Sequence, residues 1–175
     1  MVEGRAAVES AGIGAVGVGR NLAEALQPWR GEARGLHLVV FGVSVSAAPA
    51  ATTDRPGVLR LPEHAVVFGQ ALDAARSDGT VVGVLVHWGD EYMTGPNHEQ
   101  YEWARWFARH GVAVVAGSGP HVLQQCESHG GTTIAYSLGN ALYPLVLRGR
   151  GSGAVWKLTI DANGSTSSQM QRVVP

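Results

Sequence analysis

Three short polar segments hold most of the side chains able to do chemistry. They are His87-Trp88-Gly89-Asp90-Glu91, the pair Pro120-His121, and Tyr136-Ser137-Leu138-Gly139-Asn140. Imidazole ligates Zn, Mn and Fe, and carboxylates join it or orient it from one shell further out. His87 has two acids close behind it, and Gly89 lets the backbone turn sharply between them. It reads either as a metal ligand or as a hydrogen-bonding residue at a strand end. His121 closes Gly117-Ser118-Gly119-Pro120-His121, a tight loop whose backbone N–H groups could face an anion, or a plain turn. Asn140 follows Gly139, first of all a turn pair; its amide could also order a site by hydrogen bonding.

The positions of these segments follow from the apolar runs before them. Val81 to Val86 and Val112 to Ala116 read as buried parallel strands of an α/β sheet. A polar residue just past such a strand lies on the rim where open α/β sheets bind ligands. His87 and His121 are therefore expected on one edge, as corners of a shared and metal-binding site. Leu36 to Val45 reads as a further central strand. Helices are expected over Glu3 to Ser10, over Leu22 to Leu26 behind Asn21 as cap, and over Glu63 to Arg76 with Pro62 at its first position. A fourth runs from Asn97 to His110, with Gln100 completing part of a capping box and Tyr101, Ala104, Phe107 and Ala108 facing inward. Ile13 to Val18 reads as a short, glycine-broken strand, and Ser46 to Arg60 as a loop. Beyond His121 the pattern changes to hairpins: Val122 to Glu127 with Thr132 to Ser137, then Gly153 to Ile160 with Ser167 to Val173 about the turn at Asp161 to Gly164. The organisation is βαβαβ first and antiparallel strands last, in one domain over residues 1–175, without repeat or linker.

Composition narrows the class. Of 175 residues, 45% are hydrophobic and 15% charged, which suits buried strands and tight turns rather than disorder. A formal net charge of −1 gives no support to nucleic-acid binding through a basic surface. The single cysteine, Cys126, excludes an internal disulfide framework and a Cys-rich zinc site. It is expected as a small core residue in a strand. No apolar run approaches the roughly 20 residues that span a membrane, and the start of the chain has no signal-peptide core. As written, the chain carries no anchor, and the reading for a complete chain is cytoplasmic.

Gly12, Gly14 and Gly17 spell a dinucleotide-type glycine pattern, but a helical segment precedes it and no acid stands where the ribose would need one. His37, His64, His98, His110 and His129 lack a setting like those of His87 and His121. Trp103 and Trp106 read as packing residues of the fourth helix, or as a cover for a neighbouring domain.

HWGDEY, a capped helix, GSGPHV and IAYSLGN, in that order, resemble the bacterial capsule-synthesis CapA family of poly-γ-glutamate biosynthesis proteins. That family is similar to the calcineurin-like metallophosphoesterases. AGIGAVGVGRNLAEA also resembles the family's segment before a central strand, so the likeness runs from about residue 3 to residue 145. The resemblance implies an α/β class, a layered metallophosphoesterase-like sandwich with antiparallel strands at its C-terminal end and a divalent-metal site (Mn, Zn or Fe) at the strand ends. By position, His87 and His121 match metal ligands, Glu91 the acid after the His-Trp-Gly element, and Asn140 the end of the Tyr-Ser-Leu-Gly-Asn element; Glu91 and Asn140 are its candidate catalytic residues. Two departures follow. The family's His-Pro-His element here reads Gly119-Pro120-His121, with restoration of a His at Gly119 as the implied remedy. The family's earlier Asp, Asn and His ligands are also lacking, so the domain is expected to be partial and N-terminally truncated, with its ions under-coordinated. The implied function is the C-terminal part of a hydrolase acting on a phosphoester or a polyanionic polymer, weakly active or inactive as this chain. The alternative is a non-catalytic homologue acting as a binding or scaffold domain. Members of the family often work at the cell surface; oligomeric state is left open.

Overall fold

The computed structural model of the chain describes residues 2–76, 79–140, 153–161 and 166–173. Two compact units result, Met1–Val86 and His87–Pro175.

The first unit opens with helix α1 (Val2–Ser10), which stops where Gly12 takes a positive φ of 76°. The strand expected from Ile13 is reduced to β1 (Val18–Gly19). Its glycines serve close packing instead. A Cβ on Gly17 would lie 2.6 Å from the Gly42 carbonyl carbon, and one on Gly14 would lie 2.4 Å from Trp29 Cδ1. Gly17 also has φ 77°, which extended strand backbone does not allow. The glycine spacing thus reflects backbone contact. Helix α2 (Leu22–Ala25) is capped as expected, with Asn21 Oδ1 accepting from Glu24 N–H at 2.9 Å.

Strand β2 (Trp29–Ala33) was not expected from the sequence. It pairs antiparallel with β3 (Leu36–Ser44), Trp29 opposite Val40 and Ala33 opposite Leu36. Arg34 and Gly35 join them with φ of 52° and 80°, the two positive values a tight two-residue hairpin demands. Trp-Arg-Gly-Glu-Ala lacks clean apolar alternation, so only the Arg-Gly turn announced it. The expected loop from Ser46 contains one short strand, β4 (Gly57–Val58), antiparallel to β1. The Leu61–Pro62 peptide is cis, and helix α3 (Ala65–Ala75) begins three residues after Pro62, with His64 at its N-cap. Its Phe68 and Leu72 are fully buried, and Phe68 meets Phe41 of β3 edge-on at 5.5 Å. Strand β5 (Thr80–His87) lies beside β3 and covers the run expected at Val81 to Val86.

The second unit holds helix α4 (His98–Arg109) and strands β6 (Val114–Ser118), β7 (Cys126–His129) and β8 (Thr132–Ala135). β6 and β8 run parallel, while β7 and β8 form an antiparallel hairpin over Gly130 and Gly131. β8 therefore belongs to both patterns, and the sheet is mixed. β9 (Gly153–Ile160) and β10 (Thr166–Val173) form the terminal antiparallel pair. Most of the turn expected between them lies outside the described residues. The architecture is mixed α/β.

Helix α4 carries a full capping box: Asn97 Oδ1 accepts from Gln100 N–H, and Gln100 Oε1 accepts from Asn97 N–H. Its buried side is Gln100, Ala104 and Phe107, whereas Tyr101 and Ala108 are half-buried. Trp103 and Trp106 are also half-buried and pack edge-to-face at 5.6 Å. Cys126 corrects the sequence expectation: it does stand in a strand, but exposed. β7 ends the strand order β6-β8-β7, and an outer strand offers a short residue less cover than a central one.

Asn97 holds both the first turn of α4 and, through Nδ2, Asp90 Oδ2 at 2.9 Å. Asn97→Ala is expected to lower stability by about 1–2 kcal/mol, read from urea unfolding midpoints at constant slope. An unchanged midpoint would show that the box adds nothing.

Candidate functional site

The three polar segments come together in the second unit, and Trp88 joins them. Its backbone N–H, just past the end of β5, donates to the carbonyl of Ser118, the last residue of β6, at 2.9 Å. Its indole Nε1–H donates to the Tyr136 carbonyl at 2.8 Å in a buried contact, and the two rings stack at 5.7 Å. The third segment is tied in by Leu138 N–H to Gly117 O at 3.1 Å and by Gln124 N–H to Ser137 O at 3.1 Å. A Cβ on Gly117 would lie 2.1 Å from the Tyr136 carbonyl oxygen, so this crossing admits only glycine.

On this frame stand the candidate residues. His87 ends β5 exposed, its Nδ1 3.5 Å from Ser118 Oγ, the outer limit of a hydrogen bond. His121 has a left-handed backbone, φ 61°, and its Nδ1 lies 2.9 Å from Asn140 Oδ1. Either ring tautomer can make this bond: Nδ1–H donates to the amide oxygen, or a bare Nδ1 accepts from the amide turned about its axis. Metal-binding histidines are oriented in this way by the partner of their other nitrogen. Asn140 Nδ2 is buried without a hydrogen-bond partner among the described residues. Glu91 is exposed and makes no hydrogen bond or ion pair among the described residues. Asp90 is bound to the cap of α4. Tyr136 is wholly buried and donates its phenol to Glu127 Oε1 at 2.8 Å. Burial first, and then this carboxylate, push the phenol's pKa upward, so it acts here as a neutral donor.

The remaining histidines have other surroundings. His64 Nδ1 accepts from Arg60 N–H at 3.0 Å, and His110 packs its ring on Trp106 at 4.2 Å. Sequence reasoning missed Tyr92, Gln100 and Gln124 around the site. Tyr92 had no signal beyond its place after two acids. Gln100 was visible as a cap, but its burial beside Gln124 depends on a contact across 24 residues.

Gly119 has φ 122°, and a Cβ there would lie 2.1 Å from the Trp88 carbonyl oxygen. Both the backbone angle and the space refuse an L side chain. A histidine at Gly119, the remedy that the family resemblance suggests, has no room in this backbone. Among the described residues, no group of three or more His, Cys, Asp or Glu is arranged to hold a metal ion.

The family described as bacterial capsule synthesis protein PGA_cap matches residues 1–144, and the chain belongs to that family. It is similar to the "PGA biosynthesis protein CapA" of Bacillus subtilis (strain 168), 38% identical over 94 residues, which are 54% of this chain and 24% of that protein. It is also similar to the "Capsule biosynthesis protein CapA" of Bacillus anthracis, 28% identical over 141 residues, which are 78% of this chain and 34% of that protein. The chain therefore spans between about a quarter and a third of the length of these curated relatives. Among its described residues, no helix is long and apolar enough to cross a membrane.

Gly119→His is expected to cost at least about 2 kcal/mol through overpacking and backbone strain and to leave metal affinity no higher. Denaturant unfolding and Zn²⁺ titration of the variant check both. Wild-type stability with tighter Zn²⁺ binding would show that the loop can open for the ring.

Proposed function

We propose that this chain carries one rim of the site of a hydrolase acting in capsule or poly-γ-glutamate biosynthesis, on a layered fold of the metallophosphoesterase type. A phosphoester or a polyanionic polymer is the substrate class, and Mn, Zn or Fe the cofactor that such a site would use. The observation that carries this reading is the His121–Asn140 pair, in which an amide holds an imidazole that stands on a strained backbone. Strain of this kind gathers at functional sites. Membership of the capsule-synthesis family supplies the biological setting.

The residues present do not complete a metal centre. A pair of ions needs its own ligands on each, and His87 and His121 provide two imidazoles with no third His, Cys or acid grouped with them among the described residues. What the rim itself supplies is orientation. His121 contributes an imidazole held at Nδ1 by the Asn140 amide, and Glu91 places an exposed carboxylate on the adjoining loop.

The test is titration of the purified chain with Mn²⁺ alone, followed by dialysis, metal analysis and a phosphodiesterase assay. Wild type is expected to retain well under one equivalent and to hydrolyse poorly. His87→Ala and His121→Ala should abolish the weak binding, and Asn140→Ala should reduce it roughly tenfold. Binding indifferent to both histidines would sink the assignment of the rim. Turnover matching an intact two-ion phosphoesterase would sink its incompleteness.

A further inference from the structure

We infer that Gln124 is a positioning residue for the rim: its side-chain amide, oriented through Gln100, holds the loop from Gly89 to Asn97 on the path that places Glu91. The inference rests on the reading of Glu91 as part of a functional rim.

Glu91 is exposed, and its carboxylate makes no hydrogen bond or ion pair among the described residues. Where it stands is therefore decided by the loop backbone. That backbone is held on both sides of it. Asp90 Oδ2 accepts from Asn97 Nδ2 at 2.9 Å, and Tyr92 N–H donates to the Pro120 carbonyl at 2.7 Å. Further along, the carbonyls of Met93 and Gly95 accept from Gln124 Nε2 at 2.9 Å and 3.1 Å. Gln124 Oε1 accepts from Gln100 Nε2 at 2.9 Å, and Gln100 Oε1 accepts from Asn97 N–H at 3.0 Å. The relay thus begins and ends on the loop itself.

Its direction is not free. A carbonyl only accepts and a peptide N–H only donates. Met93 and Gly95 require the nitrogen of Gln124 toward them. Its oxygen then faces Gln100, which must answer with nitrogen, and the oxygen left to Gln100 meets Asn97 N–H. Reversing either amide would set like against like at both of its ends. Gln100 and Gln124 are 1% and 5% exposed, so a misdirected or missing amide has no water to replace its partner. An apolar side chain of the same length would fill the space and leave the two carbonyls unanswered. Gln124 also reaches the third polar segment, its backbone N–H donating to the Ser137 carbonyl at 3.1 Å. One residue accordingly ties the loop that bears Glu91 to the segment that ends in Asn140.

The test is amide hydrogen exchange, followed by NMR on the full chain, in wild type, Gln124→Glu and Gln124→Met. Glutamate keeps the shape of glutamine, loses the donors as a carboxylate and regains one when protonated. Burial against two carbonyls favours its neutral form and raises its pKa. Wild type is expected to protect Tyr92 N–H equally near about pH 5 and about pH 8 once intrinsic exchange is corrected for. Gln124→Glu should match it at the lower pH and lose about tenfold at the higher, with the amides of α4 and β8 unchanged. Gln124→Met should lose the protection at both. A space-filling role would give no pH dependence. Wild-type protection in Gln124→Met, a loss in Gln124→Glu indifferent to pH, or a loss shared by α4 and β8 would overturn the inference. No metal enters these readings. Failure of the Mn²⁺ titration would end the proposed function, while exchange still decides what Gln124 holds.

Discussion

The second unit depends on the place of Trp88. One residue there bonds a strand-end carbonyl with its backbone N–H and a buried carbonyl of the third polar segment with its indole, and its own carbonyl oxygen fills the space that a side chain at Gly119 would need. Its ring, 2% exposed, packs between Tyr136 and Phe107. A buried indole N–H needs a partner, and here the partner is backbone, so the requirement fixes a main-chain path and not merely a rotamer. The first and third polar segments meet through the indole, and the Trp88 peptide N–H bonds the strand end that leads to Pro120-His121.

The same packing explains why Gly117 and Gly119 are glycine. Both would drive a Cβ to 2.1 Å from a carbonyl oxygen, Gly117 against Tyr136 and Gly119 against Trp88. The loop they form cannot accept a larger residue at either place, and this shapes the chemistry of the rim. It delivers His121 in a left-handed conformation and leaves Gly119, two positions before it, without a side chain. The refusal of a side chain at Gly119 is built into the backbone.

Much of the fold was legible in the sequence. The apolar run at Val81 to Val86 became a strand, and that at Val112 to Ala116 did so from Val114 onward, because valine-rich segments bounded by glycine and polar turns have few other ways to bury themselves. The cap at Asn97 and the helix after it were equally plain, since a capping box is a local arrangement. The misses share a cause. β2 exists because β3 offers it an edge, β1 shrank because Gly42 occupies the space beside Gly17, and Cys126 is exposed because β7 ends its strand order. None of these is a property of the segment in which it occurs.

The site divides along the same line. Residue type and order alone determined that His87, His121 and Asn140 follow strand-like runs and that the chain looks like a capsule-synthesis protein, because strand ends and turn residues are set by local pattern. Only the tertiary structure decided that Asn140 Oδ1 stands 2.9 Å from His121 Nδ1, that the Tyr92 ring is centred 6.0 Å from the same imidazole, and that Gly119 admits no side chain. These are contacts between residues far apart in the chain, set at the scale of a few tenths of an ångström. Spacing along a sequence carries no information about such distances, which packing alone determines.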